Sequence, residues 1–188
     1  MRIITGCARG AKLETLPGLV TRPTAERIKE AVFSSIHFDL PQTRFLDLFS
    51  GSGQIGLEAI SRGAALSVFV DNNVEAIKII KNNAQHTKLF DRCRICNCTY
   101  IEYLRSAAGR EKFDFIYLDP PFGAHMLTDV LRNLARANIL APTGKIICES
   151  EQSVLLEPQD PLLSVFRIAK VSHYGRMYLF YLSKQEDV

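Results

Sequence analysis

"DLFSGSGQIGLEA" (47–59) places Gly51, Gly53 and Gly56 in G-x-G-x-x-G spacing, directly after an apolar run and directly before helical periodicity. Asp71 closes the next apolar run, 20 residues beyond Gly51. Strand, glycine turn, helix and a later acid form the context that a nucleotide-binding loop requires. Glycines let the backbone approach a ligand closely, and the acid can accept hydrogen bonds from ribose hydroxyls. This stretch decides the fold, because it is the first unit of a strand–helix alternation.

The alternation continues along the chain. Apolar runs predict strands at 45–48, 67–70, 93–97, 114–118, 145–148, 165–171 and 177–182. Helical periodicity occupies 54–62, 73–85, about 100–108 and 126–137. Strands separated by helices imply a parallel sheet covered on both faces. "SHYGR" (172–176) is too short for a helical crossover, so the last two strands form an antiparallel edge pair. The fold class is α/β: a doubly wound, Rossmann-like sheet of about seven strands. A small extension precedes it, with Gly6 and Gly10 punctuating a hairpin in the first 20 residues. "TRPTAERIKEAVFSSI" (21–36) then forms a helix that Thr24 can cap, with Ile28, Ala31, Val32 and Ile36 on its apolar face. The expected division is an extension over 1–43 and a catalytic domain over 44–188.

Composition bounds the class. In 188 residues, 47% are hydrophobic and 11 are Phe, enough for a full core. Five cysteines, an odd number, argue against a disulfide framework. No apolar run has membrane-spanning length and no signal peptide is evident, so a soluble cytoplasmic protein, a monomer without membrane contact, is expected. The net charge of +3 is localised: residues 1–44 hold seven basic groups against four acids, and the remainder balances at 16 of each. Arg2, Arg9, Lys12, Arg22 and Arg27 are the candidate phosphate contacts. "CRICNC" (93–98) lacks a second ligand pair, so no metal site is expected.

Asp47 selects among nucleotide ligands. It stands at the threshold of the glycine loop, where its charge would repel a pyrophosphate but favour an ammonium and a sulfonium. S-adenosylmethionine carries both; a buried acid satisfied by loop amides is the alternative. In a doubly wound sheet, ligands bind outside the carboxyl ends of the strands where the strand order reverses, here between the first and fourth strands. "FDFIYLDPPFG" (113–123) ends that fourth strand. Pro120 and Pro121 fix the backbone and remove donors, leaving a rim of acceptors: the Asp119 carboxylate and the Pro120 carbonyl. Such a rim suits the primary amine of an aromatic base, whose two N–H bonds it can hold. Phe122 offers a stacking face worth about 1–3 kcal/mol. Asp119–Phe122 are therefore the catalytic candidates. The rim does not distinguish guanine from adenine.

"MRIITGCARGAKL", "TRPTAERIKEAVF", "DLFSGSGQIGLEAISRGA", "FVD" and "FDFIYLDPPF", in this order over nearly the whole chain, resemble the RsmD family of bacterial small-subunit ribosomal RNA methyltransferases. The resemblance implies N2 methylation of a guanine in 16S rRNA of the small subunit or its assembly intermediate, with S-adenosylmethionine as donor. By matching position it makes Asp119–Phe122 catalytic and Gly51, Gly53 and Asp71 cofactor-binding; Asp47, Ser50 and Asn72 flank them. Two features depart from the pattern. Gln54 replaces a small residue, and "CNCTY" (96–100) lacks an acid for the adenine amine, leaving Cys98 and Thr99 to hold adenine through backbone. The competing readings are an N6-adenine methyltransferase on DNA or RNA, a dinucleotide-dependent oxidoreductase, and a cofactor-binding RNA protein without catalysis.

Overall fold

The computed structural model describes residues 1–16, 23–121 and 124–185. After helix α1 (Pro23–Ser35), strands and helices alternate: β1 (Arg44–Asp47), α2 (Gln54–Ser61), β2 (Leu66–Asp71), α3 (Val74–His86), β3 (Cys93–Asn97), α4 (Tyr100–Ala107), β4 (Phe113–Leu118), α5 (Ala124–Ala137) and β5 (Leu140–Ser150). Two strands close the chain, β6 (Phe166–Tyr174) and β7 (Met177–Lys184). The strand order is β3-β2-β1-β4-β5-β7-β6 in one mixed sheet of seven. Chain order runs outward from β1 to β3 and restarts at β4 in the other direction, which is the doubly wound pattern the sequence implies. β7 pairs antiparallel with both β5 and β6. Gly175, at φ +63°, makes the tight turn between β6 and β7, so β6 runs three residues further than the sequence predicts.

Most elements lie where the apolar periodicity puts them; β5 is the exception. It begins at Leu140 instead of Lys145, and its register against β4 jumps between Phe113↔Leu140 and Phe115↔Lys145. The irregularity takes up "APTG", residues that read as a turn. α1 starts at Pro23, whose missing N–H costs nothing in a first helical turn. The Thr24 side chain lies outside the described residues. Among them, no helix is long and apolar enough to cross a membrane.

The chain divides into two compact units, Met1–Tyr100 and Ile101–Val188, so the basic extension lies inside the first. Ile3 and Leu13 share a core with Leu57, Ile60, Phe69, Ile77 and Ile80. The expected hairpin is present over residues 1–13: the antiparallel Arg2↔Lys12 bridge is flanked by the Ile3 amide donating to the Ala11 carbonyl and the Leu13 amide donating to the Met1 carbonyl, both at 2.9 Å; residues 17–22 lie outside the described residues. Four amides of its turn pair outside it. Ile4 and Thr5 donate to the two Glu58 carboxylate oxygens at 2.8 and 3.0 Å, and Cys7 and Ala8 donate to the Ser61 carbonyl and hydroxyl.

Glu58 is fully buried on α2 and is the centre of an ionic cluster. Arg62 Nε reaches it at 2.7 Å and Lys29 Nζ at 3.7 Å, while Lys29 also donates to the Arg2 carbonyl at 2.6 Å. Lys29 is buried too, and desolvation lowers its ammonium pKa against the pull of Glu58. One of the seven N-terminal basic residues is therefore a core group. Arg2, Arg9, Lys12 and Arg27 are exposed, with Arg2 held 3.6 Å from Glu26; Arg22 lies outside the described residues.

Candidate active site

In the first unit, the end of β1 becomes a turn because Gly51 and Gly53 adopt φ of +52° and +75°, where a side chain would be strained. Gly53 is the N-cap of α2 and has no side chain to cap with. Asp47, 1% exposed, supplies the missing acceptor: its Oδ2 receives the Gly56 amide at 3.2 Å. One of its carboxylate oxygens thus caps the helix, as the amide-satisfied alternative for this acid anticipates. Gly56 serves another purpose. A Cβ there would stand 2.3 Å from Phe69 Cε1, so α2 can lie on β2 only with glycine at that position. Beside Gly51, by contrast, a Cβ would meet nothing within 4 Å, and the backbone lies open to an approaching ligand.

Ser50 is buried and knits β1 to β2. Its hydroxyl donates to the Asp47 carbonyl at 2.7 Å and accepts from the Val70 amide at 2.9 Å. Asp71, at the end of β2, receives the Gly51 amide on Oδ2 and the Asn73 amide on Oδ1, both at 2.8 Å. Each carboxylate oxygen has two lone pairs, so capacity for two hydroxyls remains. Asn72 is exposed beside it. The Cys98 amide is committed to the Asp71 carbonyl at 3.2 Å, which leaves Thr99, exposed and just before α4, as the outer member of that pair. The structure therefore brings Asp47, Ser50, Gly51, Gly53, Asp71 and Cys98 into one hydrogen-bonded loop system. Gln54, singled out in the sequence as unusual, opens α2 with a buried Oε1 that has no partner among the described residues.

The second unit carries the acid–proline rim. Asp119 follows the last residue of β4; Pro120 is buried and Pro121 exposed, and Phe122 lies outside the described residues. Asp119 keeps an open side to solvent while protein atoms crowd it on the others. That desolvation raises its carboxyl from the usual range to about 6. A carboxylate in this setting gains from any ligand donor that reaches it. Sequence reading passed over Glu149 near the end of β5, where desolvation lifts the carboxyl to about 7. The signal was present: "KIICES" is an apolar run leading into an acid, as at Asp119.

The family model described as "Conserved hypothetical protein 95" matches residues 1–182. The chain is 32% identical to "Ribosomal RNA small subunit methyltransferase D" of Haemophilus influenzae, over 85% of this chain and 84% of that one. It is 34% identical to the protein of the same name from Escherichia coli, over 80% and 75%. Among solved structures, the Thermus hypothetical protein TTHA0928 superposes with a TM-score of 0.82 at 27% identity, covering 98% of this chain and 99% of that one.

Proposed function

The chain belongs to the RsmD family, conserved hypothetical protein 95, and from that premise we propose that it methylates the exocyclic N2 amine of a guanine in 16S rRNA of the small ribosomal subunit or its assembly intermediate. Methyl transfer to ribosomal RNA follows from the family. The guanine N2 target is the finer part of the proposal.

The residues of the glycine loop fit S-adenosylmethionine. Gly51 and Gly53 give the open backbone, Asp71 retains lone pairs for two ribose hydroxyls, and Gln54 offers a buried acceptor to an ammonium group. Asp47, Asn72, Cys98 and Thr99 complete the set. When bound, the cofactor supplies a methyl group activated on a sulfonium. The protein's contribution is positioning and electrostatics. Asp119 and the Pro120 carbonyl accept the two N–H bonds of the amine, which turns its lone pair out of conjugation. Phe122 stacks on the base, and the carboxylate takes up the proton that the methylated amine releases. Arg2, Arg9, Lys12, Arg22 and Arg27 hold the RNA backbone.

The observation that carries this reading is the place of Asp119, directly after β4 and followed by donor-free proline backbone. A dinucleotide oxidoreductase leaves the acid–proline rim unexplained. The test incubates unmodified small subunits with the protein and S-adenosylmethionine, then digests the RNA and separates nucleosides by mass spectrometry. N2-methylguanine is expected, with none in duplex DNA. N6-methyladenine, or equal methylation of duplex DNA, overturns the substrate assignment.

A further inference from the structure

The proposed reaction leaves one acid of the second unit without a task. β4 and β5 run parallel with Tyr117 opposite Ile147 and Leu118 opposite Cys148, so the next positions along the two strands are Asp119 and Glu149. Alternation along β5 puts Glu149 on the face of Ile147, the face that also carries Tyr117. Its register partner on β7 is Leu179, and both Ile147 and Leu179 are wholly buried. An acid set among such neighbours is expected to be paired. Glu149 has no hydrogen bond or ion pair among the described residues, and desolvation alone moves its carboxyl to about 7. Tyr117 gives an independent sign of the same unmet demand. It is 2% exposed, and its hydroxyl has no partner among the described residues. Buried polar groups in folded proteins are nearly always bonded, so the Tyr117 hydroxyl, on one face with a half-buried acid that has no partner among the described residues and next to a proposed catalytic acid, calls for a ligand.

The ligand chemistry follows from a purine's Watson–Crick edge, the edge by which extruded bases are read. Guanine presents two adjacent donors there, N1–H and the N2 amine, then a carbonyl. Adenine presents an acceptor at N1 and an amine in place of the carbonyl. A second carboxylate beside the one that holds the amine therefore matches guanine and opposes adenine's N1 lone pair. A tyrosine hydroxyl on the same face can donate to a carbonyl. We propose that Glu149 is a specificity-determining residue that accepts the N1–H of the target guanine while Asp119 accepts from its N2 amine. This rests on the reading of the reaction as guanine N2 methylation.

The experiment uses the full chain and small subunits reconstituted with either guanosine or 2-aminopurine riboside at the mapped methylation position. 2-Aminopurine keeps the N2 amine and lacks both N1–H and the C6 carbonyl, so the share of the preference that depends on Glu149 is read from the variants. Wild type should favour guanosine in kcat/KM by at least about tenfold, the scale on which a site built for a hydrogen bond rejects an analogue lacking it. Glu149→Leu should reduce that preference below about threefold, with Glu149→Gln, a neutral acceptor, between the two. S-adenosylhomocysteine affinity by calorimetry should hold in both variants, and neither should melt below wild type. An unchanged preference in Glu149→Leu, or an equal loss on both bases, overturns the role of Glu149. Absence of guanine N2 methylation by wild type itself marks failure of the underlying reaction, and this proposal falls with it.

Discussion

Glu58 in the first unit and Glu149 in the second are both carried inward on regular elements, and they end in opposite circumstances. Glu58 receives two backbone amides, a guanidinium and an ammonium, all within 3.7 Å. Glu149 receives nothing from the described residues and is held near 7 by desolvation. A buried charge whose partners are all internal belongs to the scaffold, because every lone pair already has a donor. A carboxylate without partners is a standing cost to the fold, and that cost makes sense where a ligand removes it. Asp119 stands with Glu149 on this criterion, and Asp47, engaged at the N-terminus of α2, lies closer to Glu58.

The sharpest break of this contrast is at Asp119. Asp119→Asn should lower turnover by about 10²–10⁴-fold, the range for a positioned acid–base group, with S-adenosylhomocysteine affinity within a few-fold of wild type. Near-normal turnover would remove Asp119 from the reaction. Since the working form is the carboxylate, wild-type kcat/KM should fall about tenfold per pH unit below about 6, and the residual activity of the Asn variant should lack that limb.

Glu58→Ala tests the other side. Leaving Lys29 and Arg62 buried without their counter-charge should destabilise the protein by about 3–5 kcal/mol in urea unfolding, with turnover per folded molecule retained at low temperature. A loss under about 1 kcal/mol would mean that the cluster is not the anchor of residues 2–5.

Glu149→Gln should do the reverse. Because its folded pKa is raised, the native state binds more protons than the unfolded chain between about pH 4.5 and 7, so wild-type stability falls as pH rises through that window. The Gln variant should escape this and gain on the order of 1 kcal/mol at pH 8, after discounting for partial exposure, and nothing at pH 4. A variant that loses stability at pH 8 would show that Glu149 is internally paired after all.

The smallest effect is at the surface. Reversing Arg9 and Lys12 together should leave folding and cofactor affinity intact and flatten the salt dependence of RNA binding by about one unit of slope per lost phosphate contact. An unchanged slope would make these charges merely a solvated face.

Much of this was legible in the sequence, and the misses have a common cause. Strand–helix alternation, the glycine turn and the Asp71 position all rest on local periodicity and spacing, and they appear where expected. Pro142 and Gly144 signal a turn and shorten the expected strand, whereas β5 absorbs them in a register shift. Lys29 is one of the seven basic groups of residues 1–44, yet it shares helical spacing with Val32, Phe33 and Ile36, the apolar stripe that goes inside. Its partner lies 29 positions away, and no local pattern reports such a pairing. Glu149 was passed over because an acid at a strand end is ordinary; what distinguishes it is the absence of neighbours able to pair with it, a property of the folded arrangement.

The latch between residues 4–5 and Glu58 has a consequence for synthesis. Ile4 is made 54 residues before the carboxylate that receives its amide. At about 5–20 residues per second, the start of this chain leaves the ribosome several seconds before α2 exists to hold it. Until then Ile3 and Leu13 have no core to enter, and the basic segment is an unanchored cationic strand beside the nascent-chain exit. The part of the protein made first is thus among the last to settle. Substitutions at Glu58 should accordingly act on yield during expression, through proteolysis of that waiting segment, before they act on the finished enzyme.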